Sequence, residues 1–343
     1  MSVLMGIETE EELENVLSEP TPEVVNSLAR LPGDILLLGV GGKMGFSLAR
    51  MARRASDAAG TCRRVIGVSR FSSGGDDAFA HHGIETIRCN LHDRNAIDQL
   101  PEAPNVLFLA GTKFGTTIDK PTTWATNSYL PGIVAHRFRS SRIVAFSTGN
   151  VYGLTPVAGG GSTEDSEPRP VGEYAMSCLG RERVFEYFSR SAGTRVVMLR
   201  LNYACDLRYG VLVDLATRVW RAEPIDLAMG QFNTIWQADA NAMALRALDH
   251  ASTPPWVVNV TGPEVLSVRA VCEDYGQLMG RAVRFVGRES DTALLADARR
   301  GIGVLGSPRV TAEELIEGVA RWVARGGRTL GKPTKFESRD GRF

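Results

Sequence analysis

From Asp34 onward, short apolar runs alternate with amphipathic stretches. Ile35–Leu38 is apolar throughout, the pattern of a strand covered on both faces rather than of a half-exposed one. Val65–Val68, Glu85–Cys89 and Val106–Ala110 predict the next three strands, and Met44–Ala55 predicts a helix after the first. A helix over Thr122–Phe138 leads to a fifth strand, Arg142–Ser147. Glu173–Ser189 then predicts another helix and Arg195–Leu199 a sixth strand. Strands that alternate with helices pair in parallel through right-handed crossovers, so the expected fold is α/β with a doubly wound parallel sheet.

The flanks differ. Before Asp34, Thr9 with Glu12 has capping-box spacing, and Thr21-Pro22 reads as an N-cap followed by a proline at the first helical position. Two short helices are expected there, ended by Leu31-Pro32-Gly33. After Asp206 the alternation weakens. The runs Thr234–Trp236 and Trp256–Val260 lie among predicted helices near Leu212–Arg221, Asn241–Asp249 and Val268–Met279. A last helix starts at Thr311 with a second capping box through Glu314, and the Gly-, Lys- and Arg-rich stretch Arg325–Phe343 is expected to be an extended or loosely packed arm.

Charge narrows the function classes. Lys+Arg and Asp+Glu each number 39, so the chain of 343 residues carries no net charge and no footprint for nucleic acid or an anionic membrane. The five cysteines are scattered without a CxxC pair, and no basic segment followed by an apolar run opens the chain. Reduced thiols and a cytoplasmic location are the expectation. The five histidines lack metal-ligand spacing, so no metal site is expected.

Gly39-Val40-Gly41-Gly42-Lys43-Met44-Gly45 joins the first strand to the first helix. Glycines at 39, 42 and 45 permit a tight turn, backbone approach to a pyrophosphate and close helix–sheet packing, and the helix N-terminus favours the phosphates. The sheet is therefore expected to be Rossmann-like and to bind a dinucleotide. The organisation expected is a helical extension (1–33), a dinucleotide-binding domain (34–205), a mainly substrate-binding region (206–330) and a C-terminal arm (331–343). An acid at the tip of the second strand would bond the ribose 2′-hydroxyl of NAD, whereas a basic residue accommodates the 2′-phosphate of NADP. Here the strand ends Gly67-Val68-Ser69-Arg70. NADP is the preferred expectation, with Arg70 at the phosphate and Ser69 or Ser72 assisting; NAD stays open.

Further pieces resemble the extended short-chain dehydrogenase/reductase family, the sugar-nucleotide epimerases and dehydratases among them. Asn90-Leu91-His92-Asp93 follows the third strand where that family places a stretch against the adenine. Leu109-Ala110-Gly111-Thr112-Lys113, Lys120-Pro121 and Asn127 are similar to the segment after strand four in the family's epimerases. Phe146-Ser147-Thr148-Gly149-Asn150-Val151-Tyr152-Gly153 resembles its strand-five motif, and Glu173-Tyr174-Ala175-Met176-Ser177 the helix with the catalytic tyrosine. Thr261-Gly262 with Ser267-Val268 resembles its C-terminal pattern. The resemblance spans about Ile35 to Leu330. It implies cofactor contacts from Gly39, Gly42, Lys43, Met44, Gly45, Ser69, Arg70, Asn90, Leu91, Ala110, Gly111, Lys113, Asn127 and Tyr174. It also implies a homodimer packed through the helices of Asn127 and Tyr174.

In that family a tyrosine and a Ser/Thr hydroxyl polarise a substrate oxygen beside the nicotinamide; here they would be Tyr174 and Thr148. A tyrosine titrates near pH 10, and lowering that to neutrality takes about 4 kcal/mol. One ammonium about 4 Å away supplies that at an effective dielectric near 20. The family's lysine stands one helical turn on, where this chain has Cys178. Either another cation substitutes, with Lys113 the candidate, or Tyr174 works protonated as an acid, or catalysis is lost. Cys178 itself is expected to fill space in the core, and Glu182 to be a helix-surface charge. On the substrate side, Thr148, Asn202, Arg208 and Trp236 are the candidates. Phe232, where the family commonly has arginine, removes a cationic fork for a nucleotide diphosphate. The implied function is an NADP- or NAD-dependent oxidoreductase or epimerase/dehydratase acting by hydride exchange on a hydroxyl of a sugar or sugar acid. The alternative is a catalytically silent cofactor-binding module.

Overall fold

In the computed structural model, which describes residues 3–72 and 74–343, seven strands form one parallel sheet. They are β1 (Ile35–Leu38), β2 (Val65–Ser69), β3 (Glu85–Arg88), β4 (Asn105–Phe108), β5 (Arg142–Thr148), β6 (Arg195–Leu201) and β7 (Trp256–Val260). Their order is β7-β6-β5-β4-β1-β2-β3, with Ile35 registered against both Val65 and Asn105. Ile35 and Leu37 join one core and Leu36 and Leu38 the other, which is why β1 shows no alternation of polarity. The sheet is doubly wound and Rossmann-like. The chain leaves β1 towards β2 on one side and meets β4 on the other, so a crevice opens at their C-terminal ends.

Of the helices, five position the site: α1 (Glu10–Leu17), α2 (Pro22–Arg30), α3 (Gly45–Ala58), α4 (Gly172–Ala192) and α5 (Gln237–Ala247). Both predicted capping boxes form, at Thr9 and at Thr311. The segment predicted as one helix over Thr122–Phe138 is three: Lys120–Trp124, a π-helical turn Ala125–Tyr129, and Leu130–Arg137. The widened turn carries Asn127, whose side chain bonds outside its own helix (below).

Two departures from the sequence expectation concern the flanks. Trp256–Val260 lies beyond Asp206, yet it completes the main sheet beside β6. Its central Asn259 is fully buried because its amide reaches Ser162 O and Asp297 O and its carbonyl accepts from Tyr152. The arm over 331–343 is packed rather than loose: Phe336 and Phe343 are buried.

The N-terminal extension is part of the core. Leu13, Leu17, Val24 and Leu28 are fully buried, and α2 packs on α3 and α5. Leu28→Ala is expected to lower unfolding free energy by about 2–5 kcal/mol. Urea denaturation followed by circular dichroism would detect this, and an unchanged midpoint would place the extension outside the cooperative unit.

Candidate active site

The turn after β1 is shaped by close backbone approaches. Gly39 has φ 96, and a Cβ there would stand 2.7 Å from the Ala110 nitrogen beyond β4. A Cβ at Gly41 would meet Ser69 Oγ at 2.6 Å, and one at Gly45 would collide with the Val40 carbonyl. Gly42 differs: the nearest atom to its Cβ position is Gly39 O, at 3.7 Å, which leaves that flank of the turn open. Met44 caps α3 without any side-chain hydrogen bond, so the free N–H groups of α3 are left for a ligand. This geometry fits a pyrophosphate.

A cleft of about 470 Å³ lies over the turn. Of the expected cofactor residues, Gly39, Gly42, Ser69, Arg70, Asn90, Leu91, Ala110 and Gly111 line it. Among its lining residues there is no carboxylate. Asp76, the acid that follows β2, is held by Arg88 at 2.7 Å.

Asn127 does not reach this cleft. Its carbonyl accepts from Thr112 N at 2.9 Å, and its amide donates to Thr112 O at 2.9 Å and to Ser177 Oγ at 3.0 Å. It clamps the loop after β4 to α4 and thereby orients the neighbouring Lys113. Met44 is buried in the core, and Gly45 lies beneath the turn.

Lys43 and Lys113 point into a second cavity of about 140 Å³, which Thr148, Tyr174, Tyr203 and Thr334 also line. Thus Tyr174, Thr148 and Lys113 come together, with Lys43 beside them. Lys113 donates to Thr334 O at 3.0 Å. Lys43 donates to Ala204 O at 3.0 Å and stands 3.7 Å over the Tyr209 ring. Burial brings Lys43 down to about 8, against the attraction of Cys205, Asp206 and Asp214. Burial, then repulsion from Lys43, brings Lys113 to about 8 as well. Tyr203 has φ 49, and its buried hydroxyl has no hydrogen-bond partner among the described residues.

Tyr174 is pushed well above its ordinary value, first by burial and then by Cys178, while Arg181 and a hydrogen bond with Thr148 pull it partly back. Cys178 is 1% exposed, and burial raises its thiol too. A neutral thiol one turn from the tyrosine thus leaves the phenol protonated.

Two charged residues on α4 have roles the sequence reading missed. Arg181 is buried and donates to the carbonyls of Asn127 and Phe146 and to Asn127 Oδ1. Its place seven residues after Tyr174, on the buried stripe with Cys178 and Phe185, was the available signal. Glu182 is not a surface charge. It is 3% exposed, pairs with Arg200 at 2.6 Å and accepts from Ser147 at 2.5 Å. Arg200 continues to Tyr152 at 2.8 Å, and Tyr152 to Asn259 at 2.7 Å, a buried network that joins α4, β5, β6 and β7 beneath Thr148.

Of the four expected substrate residues Thr148 lines this cavity, and the other three lie elsewhere. Asn202 is buried and donates to Asn233 Oδ1 at 2.7 Å. Arg208 pairs with Asp206 at 2.9 Å and with Glu14 of α1 at 2.7 Å, so it ties the N-terminal extension down. Trp236 is 1% exposed and borders a separate cleft of about 950 Å³ shared with the extension. Large apolar surface drew the indole into the core, and two carboxylates drew Arg208 away from the cavity.

Residues 35–205 match the model of the NAD dependent epimerase/dehydratase family. Similar solved structures include a UDP-glucose 4-epimerase from Thermotoga maritima with UDP-glucose, 18% identical, TM-score 0.69, covering 85% of this chain and 99% of that one. A UDP-glucuronic acid 4-epimerase from Bacillus cereus with UDP-glucuronic acid and NAD is 16% identical at TM-score 0.69 over the same shares. A short-chain dehydrogenase/reductase superfamily protein from Agrobacterium tumefaciens with bound NAD is 20% identical, TM-score 0.70, covering 85% and 97%. At these identities the likeness is one of fold. No curated relative matches the chain.

The low lysine values carry a sign. Below about pH 8 both groups are ammonium ions, and a bound phosphate raises their pKa, so binding takes up protons as pH rises past that point. NADPH affinity, read by fluorescence titration, is therefore expected to fall by about tenfold or more between about pH 7 and about pH 9.5. Lys113→Met should weaken binding at the lower pH and flatten the profile. A pH-independent affinity in the native chain would contradict a role for these lysines.

Proposed function

Because residues 35–205 belong to the NAD dependent epimerase/dehydratase family, we propose that the protein is an NAD(P)-dependent oxidoreductase or epimerase acting on a hydroxyl of a small sugar-like or sugar-acid substrate. The observation that carries this reading is the convergence of Tyr174, Thr148 and Lys113 on one cavity, next to the open glycine turn. The UDP-sugars in the similar structures support a sugar-like ligand. Phe232, fully buried where an arginine fork would be wanted, argues against a nucleotide diphosphate on it.

When bound, the nicotinamide supplies or accepts hydride. The residues of this chain handle the oxygen. Tyr174 is held protonated, so it acts as an acid: as a carbonyl carbon gains hydride, its oxygen takes the phenolic proton while Thr148 donates a hydrogen bond to the same oxygen. Arg181 is the cation that pulls the phenol partly back towards ionisation, and Lys113, in the same cavity, is the group that can return a proton to the phenolate that remains. Thr148 is placed by Asn150, whose backbone N–H donates to its hydroxyl at 3.2 Å and whose side-chain oxygen accepts its one hydroxyl proton at 3.0 Å in the free protein; to serve the substrate oxygen the hydroxyl turns that proton away from Asn150.

NADP is the preferred cofactor in this reading. Arg70 is exposed at the rim of the cleft with Ser69 and Ser72, and Asp76 is occupied by Arg88. A homodimer is proposed through the helices around Asn127 and Tyr174, whose Tyr129 and Tyr187 are 65% and 66% exposed. A second reading, a cofactor-binding module without turnover, is favoured by one observation: the buried thiol of Cys178 where a cation would activate Tyr174.

Titration with NADPH and NADH, followed by nicotinamide fluorescence, tests the base of the proposal. Binding of either with NADPH preferred is expected; tighter NADH would overturn the Arg70 argument alone, and binding of neither would remove the reading. Over a panel of sugars and sugar acids, Tyr174→Phe is expected to cost about 100-fold or more in turnover. Cofactor binding without any turnover in the native chain would favour the silent module. Tyr187→Arg is expected to shift sedimentation to the monomer, and a native chain that already sediments as a monomer would remove the dimer.

A further inference from the structure

The arm over 331–343 reaches the Tyr174 cavity through Thr334 and the Tyr174 ring through Phe343, and is held by specific contacts. Thr334 donates from its backbone and its hydroxyl to Asp214 Oδ2, at 2.7 and 2.6 Å. Phe336, 1% exposed, packs against Phe232, and Glu337 pairs with Arg218 at 2.6 Å. Arg339 donates to Ala228 O, Thr292 O and Thr292 Oγ1 at 3.0, 2.8 and 2.6 Å. Gly341 lies against Gly172 at the start of α4, so close that a Cβ on either would strike the other strand of backbone. Phe343, 2% exposed, stands edge-on to Tyr174 with ring centroids 5.5 Å apart, and Lys113 Nζ lies 4.7 Å from the same ring.

With the arm in this place the cavity at Tyr174 measures about 140 Å³. Ligand pockets commonly take about 300–1,000 Å³. A nicotinamide and a substrate do not fit together beside Tyr174 while Thr334 walls the cavity and Phe343 packs on the Tyr174 ring. Lys113 is the contested group: it now donates to the neutral carbonyl of Thr334, and a phosphate oxygen would make the stronger, charge-assisted bond. The arm and the dinucleotide therefore compete for the same ammonium and the same space.

We infer that the 331–343 arm is an autoinhibitory strap, docked on Tyr174 and Lys113 in the free protein and displaced when the nicotinamide half of a dinucleotide enters. This rests on the dinucleotide reading above. Affinity is then scaled down to the fraction of molecules in which the strap is open. Arg339 fastens the strap at a distance from Tyr174, so its loss should release the strap and leave the catalytic groups in place.

The test uses the 343-residue chain with NADPH and NADH as probes. Arg339→Ala and Phe343→Ala are each expected to bind the preferred dinucleotide about tenfold or more tightly than the native chain. In the native chain, which needs no substitution, saturating dinucleotide is expected to accelerate tryptic cleavage after Lys335 and Arg339, followed by mass spectrometry of the arm peptides. Equal affinity in the native chain and both variants would overturn the strap, as would arm cleavage that dinucleotide slows or leaves unchanged. If no form binds either dinucleotide, the functional reading fails and the strap falls with it; binding with equal affinity defeats the strap alone.

Discussion

The reversal of strand order at β1 is the constraint from which the rest of the site follows. Strands β2 and β4 flank β1 on opposite sides, so the loops leaving β1 and β4 stand next to each other at the sheet's C-terminal edge. They come together only because Gly39, at φ 96, carries no Cβ to meet the Ala110 nitrogen. That one close approach sets the glycine turn against the segment Ala110–Lys113. It therefore places the cleft over the turn and the Lys113 cavity side by side, with Gly42 and Lys43, and likewise Thr112 and Lys113, facing one into each. A residue with a side chain at position 39 would separate the two loops and, with them, the two halves of the site.

Burial of charge then decides what each side chain in the site can do. Glu182 and Arg200 neutralise each other under Thr148 and share Ser147 and Tyr152 as hydrogen-bonding neighbours, so the pair is satisfied and fixes geometry. Arg181 is buried among carbonyl oxygens that accept its hydrogen bonds while leaving its charge uncancelled, and it partly offsets the rise that burial imposes on Tyr174. Lys43 and Lys113 likewise face carbonyls rather than carboxylates, and desolvation brings both close to titration near neutral pH. The cavity thus holds two desolvated lysines that feel Asp214 without a direct ion pair among the described residues, while its tyrosine remains a phenol. That is a suitable environment for an anionic ligand and for acid rather than base chemistry at Tyr174.

The two ends of the chain are drawn into this arrangement by ordinary forces. α1 and α2 bury a leucine- and valine-rich stripe against α3 and α5 and take Arg208 as an ion partner. The arm is held by two aromatic anchors seven residues apart, Phe336 and Phe343, between which Arg339 fills a cluster of acceptors. The extension supports the helix that begins at the glycine turn, and the arm covers the tyrosine at the opposite end of the site.

Much of this was legible from residues near each other along the chain. Apolar runs separated by amphipathic stretches specify buried parallel strands, because a strand covered on both faces has no polar side to show. Gly39 and Gly45 specify the tight turn after β1, because the conformation and close approaches there exclude a Cβ, whereas Gly42 leaves its flank open. Thr9 with Glu12 and Thr311 with Glu314 specify helix starts, because the capping bonds close within four residues. What only the tertiary structure decided were partners remote in sequence. Trp256–Val260 became a seventh strand because β6 left an edge to pair with, Arg208 turned to Glu14 rather than to the cavity, and Glu182 found Arg200 and became buried. The arm's composition reads as solvated, yet Asp214, Thr292 and the Tyr174 ring gave it a bound path. Local pattern sets which backbone shape a segment prefers; the fate of a charged or aromatic side chain depends on which complementary group the completed fold brings within a few ångströms of it.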